Sequence, residues 1–379
     1  MDVLRVILWA SLGLILWTHV VYPLTAALGA RLRSYRPRRD DAYLPSVTLV
    51  IAAHNEAGGI ERRLENALAL DYPADRVEVI VSSDGSSDGT NGVVERYAGR
   101  GVALLANPRA GKTAAQDAAV RATSSEVVAF SDANSTWEPD ALRLLVRNLA
   151  DPEVGYVCGR LRLADPESGE NAEGLYWRYE LWLREQESLL GSITAGNGAI
   201  YAVRRSVYPE LGPRFSHDIG LPYRLRRLGL RAVYEPMAVA TEPAAASTGA
   251  EWGRKVRMLS RSWFDTVRGG MLDPRGVGLV YYGELLSHRL LRYASGLLHA
   301  ALLAASVALA PTSLAARVLL VAQGLWLALA VTGWRWPGRV PLSGLAWYYL
   351  VVTAASVAAL ARMLRAGPQL TWAPAEGTR

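Results

Sequence analysis

From Val6 to Ala30 the chain contains no Asp, Glu, Lys or Arg. At about 1.5 Å per residue, a helix of that length crosses a hydrocarbon core of roughly 30 Å. The stretch reads as a span and not as a cleaved leader. Five arginines (RLRSYRPRR, residues 31–39) follow it, whereas a leader carries its positive charge ahead of a shorter apolar run. The same arginines predict that the segment behind them stays on the cytoplasmic side of a cell membrane. Three more uncharged stretches, at 293–310, 318–333 and 340–361, predict three further spans, with Trp334, Trp336 and Trp347 near their ends as interfacial anchors. The expected division is an anchor at 1–30, a soluble domain at 40–270, an interfacial helix at 274–292 and three spans within 293–363.

Composition agrees with this division, since 51% hydrophobic and 20% charged residues suit a chain that is part membrane helix and part folded domain. A single cysteine, Cys158, excludes an internal disulfide and suits a reducing compartment. The net charge of +6 is largely accounted for by arginines next to the spans, so no nucleic-acid partner is expected.

Between residues 40 and 270 strands alternate with helices. VTLVIAA (47–53), VEVIVSS (77–83), VALLA (102–106) and VVAF (127–130) are β-branched and nearly uncharged, and a polar turn and a helical segment follow each. That pattern predicts an α/β fold with a parallel sheet, in which ligands bind beyond the carboxyl ends of the strands. The residues found there are HNEAGG, DGSSDGT, NPRAGKT and SDANS. They bring Asn55, Glu56, Asp84, Lys112, Asp132 and Asn134 to one edge. Each acid has a simpler reading as a turn former or helix cap, but two separate strands ending in carboxylates at one edge favour a site. DGSSDG lacks the ligand spacing and flanking helix of a calcium loop, NPRAGKT lacks the first glycine of a phosphate loop, and no GxGxxG follows a strand.

Taken together, IAAHNE (51–56), SSDGSSDGT (82–90), RAGKT (109–113), SDANS (131–135), GNGAIYAVRR (196–205) and HDIGLP (217–222) resemble family 2 glycosyltransferases of the GT-A fold. The likeness is to the membrane-bound branch that includes hyaluronan, chitin, cellulose and poly-N-acetylglucosamine synthases. It implies a Rossmann-like sheet domain flanked by N- and C-terminal transmembrane helices. It also implies that Ala53, Asn55, Glu56 and Asp84 line a nucleotide pocket, and that Lys112, Asp132, Arg257 and Arg261 serve the donor diphosphate. Asp132 and Asn134 would hold Mg2+ or Mn2+, Asp218 would act as general base, and Gly196, Asn197 and Gly198 would face the acceptor. From position alone Asp218 reads equally as a helix cap. Trp182, with Trp177, Tyr179 and Glu180 on the same helical segment, is a candidate for an acceptor groove or for packing.

Two departures matter. The family's second metal-binding Asp is Asn134, which offers an oxygen without charge. The QxxRW motif of processive synthases is replaced by MLSRSW (258–263), which displaces the Trp by one residue, or about 100° on a helix. The expected activity is therefore inverting transfer of one or a few sugars from a nucleotide sugar, UDP-linked, to a saccharide or lipid-linked acceptor in cell-surface polysaccharide or glycolipid synthesis. The alternatives are a processive synthase that exports its polymer, and a transporter with a regulatory nucleotide-binding domain. Spans almost free of ionisable residues argue against the transporter.

Overall fold

A computed structural model describes residues 2–164, 174–243, 248–368 and 370. The chain opens with α1 (Asp2–Leu32), interrupted by a π-turn at Trp17–Val21. The order that follows is β1 (Val47–Ala53), α2 (Ile60–Leu68), β2 (Val77–Asp84), α3 (Thr90–Glu95), β3 (Val102–Asn107), α4 (Lys112–Ala122) and β4 (Val127–Asp132). Next come β5 (Thr136–Trp137), α5 (Ala141–Val146), β6 (Val154–Ala164), α6 (Leu175–Leu190), β7 (Tyr201–Arg204), α7 (His217–Arg227), β8 (Arg231–Pro243) and α8 (Thr248–Val267). Three long apolar helices close the chain: α9 (Leu279–Leu309), α10 (Leu314–Arg335) and α11 (Ser343–Ala366).

The eight strands form one sheet in the order β3-β2-β1-β4-β7-β6-β8-β5. The first four are parallel, as their uncharged sequences predict, and β7 is inserted antiparallel between β4 and β6. Alternation along the strands feeds two cores. Leu49, Ile51, Val127 and Ala129 face α2 and α5, whereas Val50, Val128 and Phe130 face α4, α6 and α7. Both faces are covered, which explains why β1 reads as a continuous apolar run.

α1, α9, α10 and α11 are each long and apolar enough to cross a membrane. The second of these starts earlier than expected. From Leu279 the helix runs through a π-turn at Leu285–Leu290 directly into the segment read as the next span, so most of the expected interfacial segment 274–292 is continuous with that span. The sequence hid this continuity because Glu284, His288, Arg289 and Arg292 interrupt the apolar pattern. Glu284, His288 and Arg292 are buried against the rest of the protein, so their charges do not mark a water-facing side. α8 packs along α11, where Lys255 donates to the Tyr348 hydroxyl at 2.7 Å and the Trp263 indole to the Ser356 carbonyl at 3.0 Å. Trp263 is thus buried among the apolar helices, in contact with Tyr293.

Candidate active site

The carboxyl ends of β1, β2 and β4 place the predicted residues along one edge. At the end of β2, Asp84 is buried, and its two carboxylate oxygens accept from the backbone N–H groups of Ala110 (2.6 Å) and Gly111 (2.9 and 3.1 Å). These bonds fix the turn that starts α4 and so deliver Lys112 to the edge. Ala53 ends β1, and Asn55 follows in a left-handed conformation (φ 55°) that Asn tolerates better than most residues. Its backbone N–H donates to Ser86 at 3.1 Å and its side-chain oxygen accepts from Ser87 N–H at 2.8 Å. The Glu56 N–H donates to Thr90 at 2.8 Å. The loops after β1 and β2 are therefore stitched into one rim.

Lys112, Asp132 and Asp218 converge on the loop between α6 and β7. Lys112 pairs with Asp132. A Cβ added to Gly198 would lie 2.8 Å from the Lys112 ammonium, 3.3 Å from Asp132 Oδ2 and 3.5 Å from Asp218 Oδ1. Only glycine leaves that space open. Burial lowers the affinity of Lys112 for its proton, but Asp132 and Asp218 outweigh it, and the pKa stands above the ordinary lysine value. The ammonium therefore keeps its charge.

Asp218 sits in the first turn of α7, and Ser216, the residue that caps the helix, is held by Asp265 through its N–H (3.2 Å) and hydroxyl (2.6 Å). Pro222 lies four residues further on and has no N–H to bond the Asp218 carbonyl. That carbonyl instead accepts from Gly196 N–H at 2.7 Å. One imino acid thereby docks the glycine loop onto the helix that carries the candidate base. Neighbouring His217 is buried, with its ring nitrogens 2.6 Å from the Tyr201 hydroxyl and 3.0 Å from that of Tyr208, as a packing residue.

The other expected residues divide. Arg261 reaches the site. Burial lowers its pKa against the raising effect of Asp218, Asp265 and Asp84, and it donates to the Leu370 carbonyl at 2.5 Å. Arg257 lies instead among cations, its pKa lowered by burial and then by Arg254 and Arg362. Asn197 is buried and shapes the loop: its side-chain oxygen accepts from the N–H groups of Ala199 and Ile200, both at 3.0 Å, and its amide donates to Gly159 O at 2.8 Å. Trp182 lines a surface cavity with Arg160, Arg178, Glu185 and Tyr234, and none of these belongs to the Lys112–Asp132–Asp218 cluster.

A residue that sequence reading missed is Glu242, near the end of β8. It hydrogen-bonds Ser135, directly after Asn134, and its pKa is pushed up to about 7 by burial and then by Asp132. The signal was available: it is another carboxylate at a strand end, but the Pro and Glu residues of β8 disguise the strand.

A hard cation fits this donor set if substrate supplies further ligands. Asp132 keeps one oxygen outside its pairing with Lys112, and Asn134, two residues along the chain, carries an amide oxygen of the right chemistry. Among the described residues no three His, Cys, Asp or Glu side chains form a ready-made metal cage.

Residues 48–212 match the family model "Glycosyl transferase family 2". Among curated proteins the chain is similar to poly-beta-1,6-N-acetyl-D-glucosamine synthase of Staphylococcus aureus, at 26% identity over 59% of this chain and 58% of the relative. It is also similar to the probable glycosyltransferase YdaM of Bacillus subtilis, at 28% identity over 56% of this chain and 54% of the relative. The matches thus span a little more than half the length of these relatives. Among solved structures, the mannosyltransferase PcManGT of Pyrobaculum calidifontis, solved with GDP-Man and Mn2+, superposes with a TM-score of 0.75 at 24% identity over 96% of this chain and 98% of that one. That likeness establishes a common fold that includes the apolar helices. Residues 48–212 thus match family 2 glycosyltransferases, on a sheet of the fold seen in the solved mannosyltransferase, within a chain that carries four helices long and apolar enough to cross a membrane.

Proposed function

We propose that the enzyme moves a hexose from a nucleotide diphosphate sugar to a hydroxyl of a saccharide or lipid-linked acceptor at the membrane surface, with inversion at the anomeric carbon. The carrying observation is the convergence of Asp132, Asp218 and Lys112 on the Gly198 loop. Asp218 takes the proton of the acceptor hydroxyl as its oxygen bonds to the anomeric carbon. The bond from that carbon to the phosphate oxygen breaks, and its electron pair leaves with the diphosphate. Lys112 and Arg261 neutralise the departing charge. Asp132 and Asn134 are the residues that would hold Mg2+ or Mn2+, which supplies positive charge to the diphosphate when bound. Asn55, Glu56 and Asp84 frame the nucleotide. A UDP-linked donor is the reading carried over from the family resemblance, and the solved mannosyltransferase with GDP-Man supports a GDP-linked one as the alternative.

The five arginines after α1 support a cytoplasmic sheet domain, where nucleotide sugars are made. Trp263 is buried against α11, and its one-residue displacement from the QxxRW pattern supports transfer of one or a few sugars. The synthase among the relatives supports the second reading, a polymerase.

The test is incubation of purified enzyme with a panel of labelled nucleotide sugars, with and without chelator, followed by size analysis of product from sealed vesicles. Metal-dependent transfer giving short products is expected. No transfer from any donor would defeat the proposal, and long polymer inside the vesicles would promote the second reading.

A further inference from the structure

The loop that carries Gly196 and Gly198 to the reacting groups is anchored at its other end by a buried carboxylate that the mechanism does not use. Glu187, near the end of α6, is fully buried. Its Oε2 accepts from the N–H (3.2 Å) and hydroxyl (2.9 Å) of Thr194, two residues before Gly196. Its Oε1 accepts from the Tyr22 hydroxyl of α1 at 2.7 Å and lies 2.6 Å from His288 Nδ1 of α9. Arg289 of α9 donates to the Thr194 hydroxyl at 2.8 Å, so α9 grips the loop directly as well. His288 and Thr194 are as buried as Glu187.

Simple attachment of a domain to membrane helices does not require this arrangement. Apolar contacts dock helices without the desolvation penalty of a buried charge, and buried ionic groups often stabilise no better than apolar replacements. What a buried, fully partnered carboxylate adds is geometry, because each hydrogen bond it accepts has a narrow range of distance and angle. Here that geometry is passed on. Thr194 is set by Glu187, Gly196 is held by the Asp218 carbonyl that Pro222 leaves free, and Gly198 faces Asp132 and Asp218 two residues later.

We propose that Glu187 is a positioning residue for glycosyl transfer: together with Tyr22 and His288 it sets the Gly196–Gly198 loop against Asp218, so that α1 and α9 form part of the acceptor site. The inference rests on the preceding reading of that loop as acceptor-facing. It makes the apolar helices determinants of catalysis, and it implies that separating the sheet domain from them deranges the acceptor side while leaving the nucleotide side intact.

The decisive variants are Thr194→Val and Thr194→Ser in the full chain, with Tyr22→Phe and Glu187→Gln as partners. Thr194→Val keeps the shape and removes the hydroxyl, whereas Thr194→Ser keeps both bonds. For Thr194→Val the expected result is a fall in kcat of tenfold or more per nucleotide-binding molecule, with a raised acceptor KM. Affinity for UDP or GDP in the presence of Mn2+, measured by calorimetry, should stay within twofold, and Thr194→Ser should be close to the parent. A second readout needs no turnover. Cys158 is buried beneath the loop, with its sulfur 3.2 Å from the Asn197 amide, so a loosened loop should let maleimide modify it at least tenfold faster. A lower melting temperature with unchanged kcat, acceptor KM and labelling rate would overturn the proposal and leave Glu187 as a docking contact. A parent enzyme that transfers no sugar would sink the preceding reading, while Cys158 labelling would still decide whether the loop hangs on Glu187.

Discussion

The two halves of the sheet reach the same edge by different means. In the half proposed to hold the nucleotide, β1 to β4, bonds between neighbouring turns of the sheet place the side chains: Asp84 takes the N–H groups of Ala110 and Gly111, and Asn55 ties its turn to the next. In the half proposed to face the acceptor, β6 to β8 with α6 and α7, placement relies on acids whose partners lie on other elements. Glu187 meets α1 and α9, Asp265 holds the cap of α7, and Glu242 reaches Ser135. A half organised locally persists when its neighbours change, and a half organised at a distance answers to them.

The strongest way to break this comparison is at the base. Asp218→Asn should lower turnover by about two to four orders of magnitude while nucleotide affinity stays intact, and equal loss of both would show that the halves are not separable. Asn134→Asp acts on the nucleotide side and adds a full ligand charge. It should lower the Mn2+ concentration for half-maximal activity by on the order of tenfold, with acceptor KM unchanged. Pro222→Ala restores an N–H that competes with Gly196 for the Asp218 carbonyl. The loss of about one hydrogen bond predicts roughly a fivefold fall in kcat/KM for acceptor, and an effect confined to donor KM would contradict the docking role given to that carbonyl.

The smallest effect concerns Asp265, whose pKa burial raises to about 7 from the ordinary 3.8, in spite of the bonds from Ser216. The folded state therefore binds this proton more tightly than the unfolded chain does. The stabilisation is complete below the unfolded value and is lost as pH rises through about 7. Melting temperature should decline between pH 4 and pH 7, and Asp265→Asn should flatten that decline. An unchanged profile would show that Asp265 is already ionised in the fold.

The same contrast explains what the sequence disclosed. β1 to β4 were legible because strands buried on both faces must be apolar throughout, and their polar turns then point to the site. β8 was not, because its Glu235 is buried yet paired with Arg39 and Arg147, so an interior residue looked like a surface one. Asp84, Lys112, Asp132 and Asp218 could be found from strand ends and the family resemblance. Glu187 could not, since His288 lies 101 residues away along the chain and no local pattern joins them. Trp182, expected from its helical spacing, lines a surface cavity with Arg160, Arg178 and Glu185.

The π-turns of α1 and α9 face each other, with the Trp17 indole donating to the Ser287 hydroxyl at 2.9 Å and the Thr18 hydroxyl to the Ser287 carbonyl at 2.6 Å. A π-turn holds one residue more than the α-helical turn it replaces. Each of these helices therefore carries a local insertion, and removing one residue from either turn would rotate everything beyond it by about 100°. Relatives that lack the paired turns should differ by a single-residue gap in each helix, and a gap in only one of them would leave Thr18 and Ser287 out of phase. In evolutionary terms, a length change in one of the two apolar helices is expected to be matched by a length change in the other.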